Sequence, residues 1–182
     1  MRLVNLLVSL LAGLSFASAA VDWSVDVGVT NSEVKVDLTD GNDGTTSSRK
    51  TGYYLGAGFL RPAVAGSQHH IGMRVQVADA AGDRLMAVRV LDYQYRLAEL
   101  PFMFGAFAGA ASLDTGSTTL GYYGGVEALW RSPVPHLNVG IGAQYGDKLA
   151  RDKLLADDQP GGQRPDLFYD VSSAVLFLRW DF

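Results

Sequence analysis

The chain has 182 residues, 48% hydrophobic and 19% charged, so it can bury a core and is not a disordered polypeptide. Its 21 glycines exceed the ordinary share of about 7% and are dispersed through apolar segments, which excludes a linker or a collagen-like repeat. A net charge of −4 argues against nucleic acid as a partner.

Residues 1–20 carry one positive charge, Arg2, then an apolar run from Leu3 to Leu14, and close on Ala17-Ser18-Ala19-Ala20. Such a short apolar stretch ending in small residues predicts a cleaved secretory signal peptide, with residues 21–182 as the mature domain. The chain has no cysteine, which removes a lipoprotein anchor and any disulfide framework.

From Val21 the chain alternates. Trp23, Val25, Val27 and Val29 share one parity, with Ser24, Asp26 and Gly28 on the other. This is the period of a strand with one apolar and one polar face. A second segment sets Tyr53, Leu55, Ala57 and Phe59 against Tyr54, Gly56 and Gly58, and a third sets Ile71, Met73, Val75 and Val77 against Gly72, Arg74 and Gln76. In the fourth, about Leu85 to Arg96, the apolar parity changes between Val90 and Leu91, which predicts a β-bulge near Val90. The fifth, Phe102 to Ala111, is small or apolar on both faces. In the sixth, Tyr122, Val126, Ala128 and Trp130 oppose Tyr123, Gly125 and Glu127, and in the seventh Leu137, Val139, Ile141, Ala143 and Tyr145 oppose Asn138, Gly140, Gly142 and Gln144. The eighth ends the chain with Leu176, Leu178, Trp180 and Phe182 in phase and Arg179 between them.

Eight segments of about ten residues match the number and tilted length of strands in closed membrane barrels. Closure follows because an open edge in lipid leaves backbone N–H and C=O groups unpaired. The sequence therefore predicts an all-β, eight-stranded antiparallel up-and-down transmembrane β-barrel. Aromatic residues near segment ends, Trp23, Phe59, Tyr93, Tyr95, Trp130, Tyr145 and Trp180, suit interfacial girdles. A soluble barrel would point its apolar face inward, but the glycine-rich opposite faces suit a narrow lumen better than a solvated surface.

The signal peptide, the eight segments and the terminal stretch ending in Phe182 resemble the small bacterial outer-membrane barrels of the OmpA/OmpX type. The resemblance implies a location in the Gram-negative outer membrane, contact with the lipid bilayer and lipopolysaccharide, and insertion by the barrel-assembly machinery. It further implies that Leu176, Leu178, Trp180 and Phe182 form the signal read by that machinery. With both termini on the periplasmic side, the outward connections are Thr39 to Lys50, Asp79 to Asp83, Ser112 to Ser117 and Gly146 to about Asp166, and the inward turns are Arg61 to Gln68, Leu97 to Pro101 and Ser132 to Pro135.

Candidate chemistry is sparse. Asp40-Gly41-Asn42-Asp43-Gly44 has oxygen donors but lacks the ligand spacing of a calcium loop and reads as a solvated turn. Residues 146–166 mix charges with Leu149, Leu154 and Leu155 and suggest one or two helical turns above the barrel. His69, His70 and His136 lie at strand starts beside inward turns, far from the outer leaflet, and adjacent histidines on a strand face opposite ways. No serine sits in a nucleophile motif, and the His-x-Ser element of the lipid A deacylase family is absent. Neither a catalytic residue, a metal site nor a cofactor is expected. Asp26, Arg74, Asp92 and Glu127 fall at nearly one depth on lumen-facing positions, with Arg179 slightly lower, which predicts a charge-paired polar layer filling the bore. The expected function is that of a non-enzymatic outer-membrane barrel whose outward loops serve surface interaction, with an unknown partner, or stabilise the envelope. The alternative is a small-solute channel or a lipid-modifying enzyme.

Overall fold

The computed structural model describes residues 21–38, 46–115, 117–118, 120–153 and 166–182; the leader at 1–20 and the Asp40 to Gly44 stretch lie outside them. The strands are β1 (Asp22–Leu38), β2 (Thr46–Pro62), β3 (His69–Ala80), β4 (Asp83–Arg96), β5 (Phe102–Leu113), the two-residue β6 (Ser117–Thr118), β7 (Gly121–Arg131), β8 (Leu137–Lys153) and β9 (Asp166–Asp181). Each long strand pairs antiparallel with the next, and β9 pairs with β1, so eight long strands close a barrel. No helix occurs among the described residues.

The alternation of the sequence becomes an inside-out barrel. Val25, Val27, Leu55, Val75, Val126, Ile141, Leu176 and Leu178 are exposed, whereas Asp26, Arg74, Arg89, Asp92, Glu127 and Arg179 are buried. Apolar outside and polar inside is the surface a barrel presents to lipid. Trp23, Phe102, Trp130 and Trp180 mark the inner end of the apolar belt, and Tyr53, Tyr122 and Tyr145 the outer end.

Two irregularities shape the lumen. In β4 the register shifts between Arg89 and Leu91, and Val90 and Leu91 both face outward. This is the bulge expected near Val90, and it turns Arg89 and Asp92, three residues apart, to the same inner face. In β8 the register shifts between Gly146 and Ala150, so that Asp147, Lys148 and Leu149 oppose the single residue Asp170. The Asp170 carboxylate fixes the distortion by accepting from the Lys148 backbone N–H and the Tyr145 hydroxyl, both at 2.9 Å. Lys148 takes φ 55° and Leu149 turns fully into the interior.

Five connections differ from the sequence expectation. β8 continues to Lys153 in place of a loop from Gly146, so no helical turn forms over residues 146–153; Leu154 and Leu155 lie outside the described residues. β2 already begins at Thr46, within the expected first loop, and continues to Pro62 at the other end. β5 continues to Leu113. The β3–β4 connection is tighter than the five residues expected, because Ala80 pairs with Asp83 around Ala81 and Gly82, both at positive φ (57° and 111°), as the twist of a two-residue hairpin requires.

Candidate functional site: a filled lumen and a raised outer sheet

The lumen charges converge. Asp26, directly opposite Arg179 in the β1–β9 register, accepts from Arg179 Nε at 2.8 Å and from Arg74 Nη1 at 2.7 Å. Arg74 also donates from Nε to Asp92 at 3.0 Å and from Nη2 to Ser24 at 3.0 Å. Glu127 accepts from Arg179 Nη2 at 3.1 Å, Gln94 Nε2 at 2.9 Å and Arg89 Nη1 at 2.8 Å. Arg74 and Glu127 are therefore linked through Asp26 and Arg179. Arg89 completes the set and was not singled out from the sequence; it also donates to Gln76 at 2.9 Å and stacks on Phe107, 3.5 Å from the ring centroid. Three guanidinium groups face three carboxylates, so the cluster is balanced, as charges this deeply buried must be.

Glycines make room for it. A Cβ on Gly105 would lie 2.8 Å from Glu127 Cγ, and one on Gly58 would lie 3.0 Å from the Arg74 Cα. No real side chain tolerates the first contact without displacing Glu127. At these two positions glycine has a specific use, since the paired Glu127 and Arg74 on the neighbouring strands leave no room for a Cβ.

Layers above and below are filled too. Toward the outer side, Tyr54, Tyr123, Gln76 and Gln144 form a connected polar shelf, in which Gln76 donates to the Tyr123 hydroxyl and Tyr123 donates to Gln144. Thr30, Ser32 and Ser173 join hydroxyl to hydroxyl at 2.8–2.9 Å. Beyond them the interior becomes apolar, with Val34, Leu85, Leu113, Leu149 and Val171 buried. Toward the inner mouth, Leu60, Met103 and Leu129 are buried and Arg96 pairs with Asp22 at 2.8 Å.

The histidines do not meet. His69 is outside, its Nδ1 2.6 Å from the Tyr93 hydroxyl; His70 is inside against the Gln68 carbonyl at 3.2 Å; His136 stacks on Trp180. Among the described residues no group of three or more His, Asp or Glu side chains is placed to hold a metal. At the C-terminus, Leu176, Leu178, Trp180 and Phe182 all face outward, and the Phe182 N–H donates to the Trp23 carbonyl at 2.8 Å.

The wall is of unequal height. β1, β2, β8 and β9 have 16 or 17 residues, whereas β3, β4, β5 and β7 have 11 to 14. On β1 the outward column changes from Val27 and Val29 to Asn31, Glu33 and Lys35; on β2 it changes at the same level from Tyr53 to Thr51 and Arg49; on β9 it changes from Leu176 and Ala174 to Ser172 and Asp170. The lipid boundary therefore runs near Asn31, and the longer strands project beyond it by about 20 Å at the strand rise per residue. With β6 added beside β8, the projecting part is a sheet in the order β2, β1, β9, β8, β6.

No family profile matches the chain, and no curated protein matches it in sequence. Solved structures are similar in fold. Neisserial surface protein A aligns at 13% identity over 91% of this chain and 100% of its own, with a TM-score of 0.50. The outer membrane protein OprG from Pseudomonas aeruginosa aligns at 13% identity over 91% and 98%, with a TM-score of 0.49, and the outer membrane protein AlkL at 11% identity over 92% and 93%, also with a TM-score of 0.49. The fold is that of the small eight-stranded bacterial outer-membrane β-barrels.

Proposed function

We propose that the mature chain is a non-enzymatic, non-conducting barrel of the bacterial outer membrane whose raised outer sheet serves interactions at the cell surface. The observation that carries this reading is the pairing of a filled bore with a wall that stands clear of the lipid. A solute conduit needs free bore, and here six buried charges, a polar shelf and an apolar layer occupy it. A lipid-modifying enzyme needs a nucleophile and base at the outer rim, and the described histidines sit at the inner end. Lys35 and Arg49, exposed on the raised sheet beyond the apolar belt, supply the cationic groups that contact with lipopolysaccharide phosphates would use.

Purified protein in planar bilayers is expected to give no steady conductance, and a stable open channel would reject the reading. On intact cells, Ser47→Cys should react with a membrane-impermeant maleimide, whereas Ala65→Cys in the β2–β3 turn should react only after the outer membrane is permeabilised. The reverse pattern would invert the topology.

Insertion is assigned to the barrel-assembly machinery acting on the terminal strand. Phe182 is 71% exposed and its backbone contributes one hydrogen bond, so its deletion removes little packing. Deleting it should lower the amount of heat-modifiable barrel in membranes while leaving urea stability of the inserted fraction within about 1 kcal/mol, the net value of a hydrogen bond. Equal loss of stability and yield would make Phe182 a packing residue instead.

A further inference from the structure

We infer that the outer half of β2 is a docking edge for an extended acidic polypeptide segment. This rests on the reading of the raised sheet as the interaction face and names the chemistry of its partner.

β2 pairs with β1 from Thr46 to Leu60, but its pairing with β3 begins only at Tyr54, opposite Ala78. Among the described residues no strand pairs with the other side of Thr46–Thr51; at its lower end Asp79 packs against Gly52 and the β3–β4 turn at Gly82 lies near the Lys50 ammonium, so the open part runs upward from there. Ser47, Ser48, Arg49, Lys50 and Thr51 are all exposed. Alternate residues of such an edge turn their N–H and C=O groups to the open side, which is the template that an added strand completes. With the rest of the raised sheet, this stretch stands above the lipid, so water rather than acyl chains competes for those groups.

Charge selects the occupant. Arg49 and Lys50 are neighbours on a strand and project to opposite faces. Arg49 is held on the outer face, where its Nε donates to Asn31 Oδ1 at 2.6 Å and Asn31 Nδ2 donates to Thr51 Oγ1 at 3.0 Å. Glu33 is opposite Arg49 on β1, on the side away from the open edge. A strand added at that edge sets one residue beside each cation, so it must carry acids on both faces, meaning two consecutive acidic residues. A second copy is disfavoured because edge-to-edge pairing would bring the same two cations against each other. Charged edge residues also serve simply to block aggregation, in which case nothing binds.

The test uses the full mature barrel in lipid nanodiscs. Its probes are a synthetic eight-residue peptide of threonines around a central Glu-Glu pair, its Lys-Lys counterpart, and inorganic phosphate. The Glu-Glu peptide should bind more tightly than the Lys-Lys peptide by at least about tenfold, as like charge opposes the latter. Amide hydrogen exchange should slow at alternate positions within Thr46–Thr51 and nowhere else. The variant Arg49→Glu/Lys50→Glu, checked for folding by heat-modifiability, should exchange the order of the two peptides. No binding by either peptide, equal binding, protection away from β2, or the same protection from phosphate alone would overturn the inference. A barrel that is closed and outward-facing in the recordings and labelling above but binds neither peptide refutes the docking edge alone, whereas conductance or inverted labelling refutes the reading beneath it.

Discussion

Glu127→Gln should cost about 3–5 kcal/mol of folding free energy, the range for breaking a buried ion pair from one side. The carboxylate engages Arg179, Arg89 and Gln94 together, and its side chain is almost completely buried. A neutral amide leaves three guanidinium groups facing two carboxylates in a layer buried from bulk solvent. The double variant Glu127→Leu/Arg89→Met should recover much of the loss, because removing both members of a buried pair is often close to neutral. Contacting residues of this kind typically show coupling of about 0.5–3 kcal/mol. Urea titration of refolded barrel in lipid vesicles, read by gel mobility, measures both. A Glu127→Gln barrel of wild-type stability would mean that water screens the cluster, and a double variant as weak as the sum of its parts would mean that the two residues do not act through each other.

The barrel and its membrane-spanning strands were legible because lipid outside and a narrow lumen inside impose one strict alternation. The bulge in β4 was legible for the same reason, since it is the place where the apolar parity changes. Arg89 followed from that parity, because Val88 and Val90 outside leave it inside. What obscured it was counting depth from the turns, which ignores the residue that the bulge adds. The projecting sheet was hidden by a different effect. Beyond the lipid boundary the outer face meets water, so polar residues move outside and apolar ones inside. On β1 the apolar positions change from Val25, Val27 and Val29, which are exposed, to the buried Val34. In the sequence that phase change resembles the end of a strand. β8 was hidden further by its bulge, which sends Leu149 inward within a stretch whose mixed charges resemble a surface loop.

Ile141→Arg should cost about 2–4 kcal/mol, the range for arginine on the lipid face at the bilayer midplane. Ile141 is the middle of the outward column from Leu137 to Tyr145, is 60% exposed, and lies beside Ala128 on β7 and Leu176 on β9. An arginine there has no carboxylate within the belt and must drag headgroups or water toward it. Ser172→Arg, on the outward face of β9 one step beyond Ala174, stands at the level of Glu33 and outside the apolar belt. It should cost no more than about 1 kcal/mol, as charges near the interface do. The difference between the two sites separates the lipid boundary from simple tolerance of charge on an exposed strand. Equal costs would move the boundary outward past Ser172 and bring the projecting sheet down into the bilayer, leaving the edge of β2 with no water to face. If Ile141→Arg folds as the wild type does, the belt is not in lipid at all, and the exposed column of valines, leucines and isoleucine must be covered by protein instead.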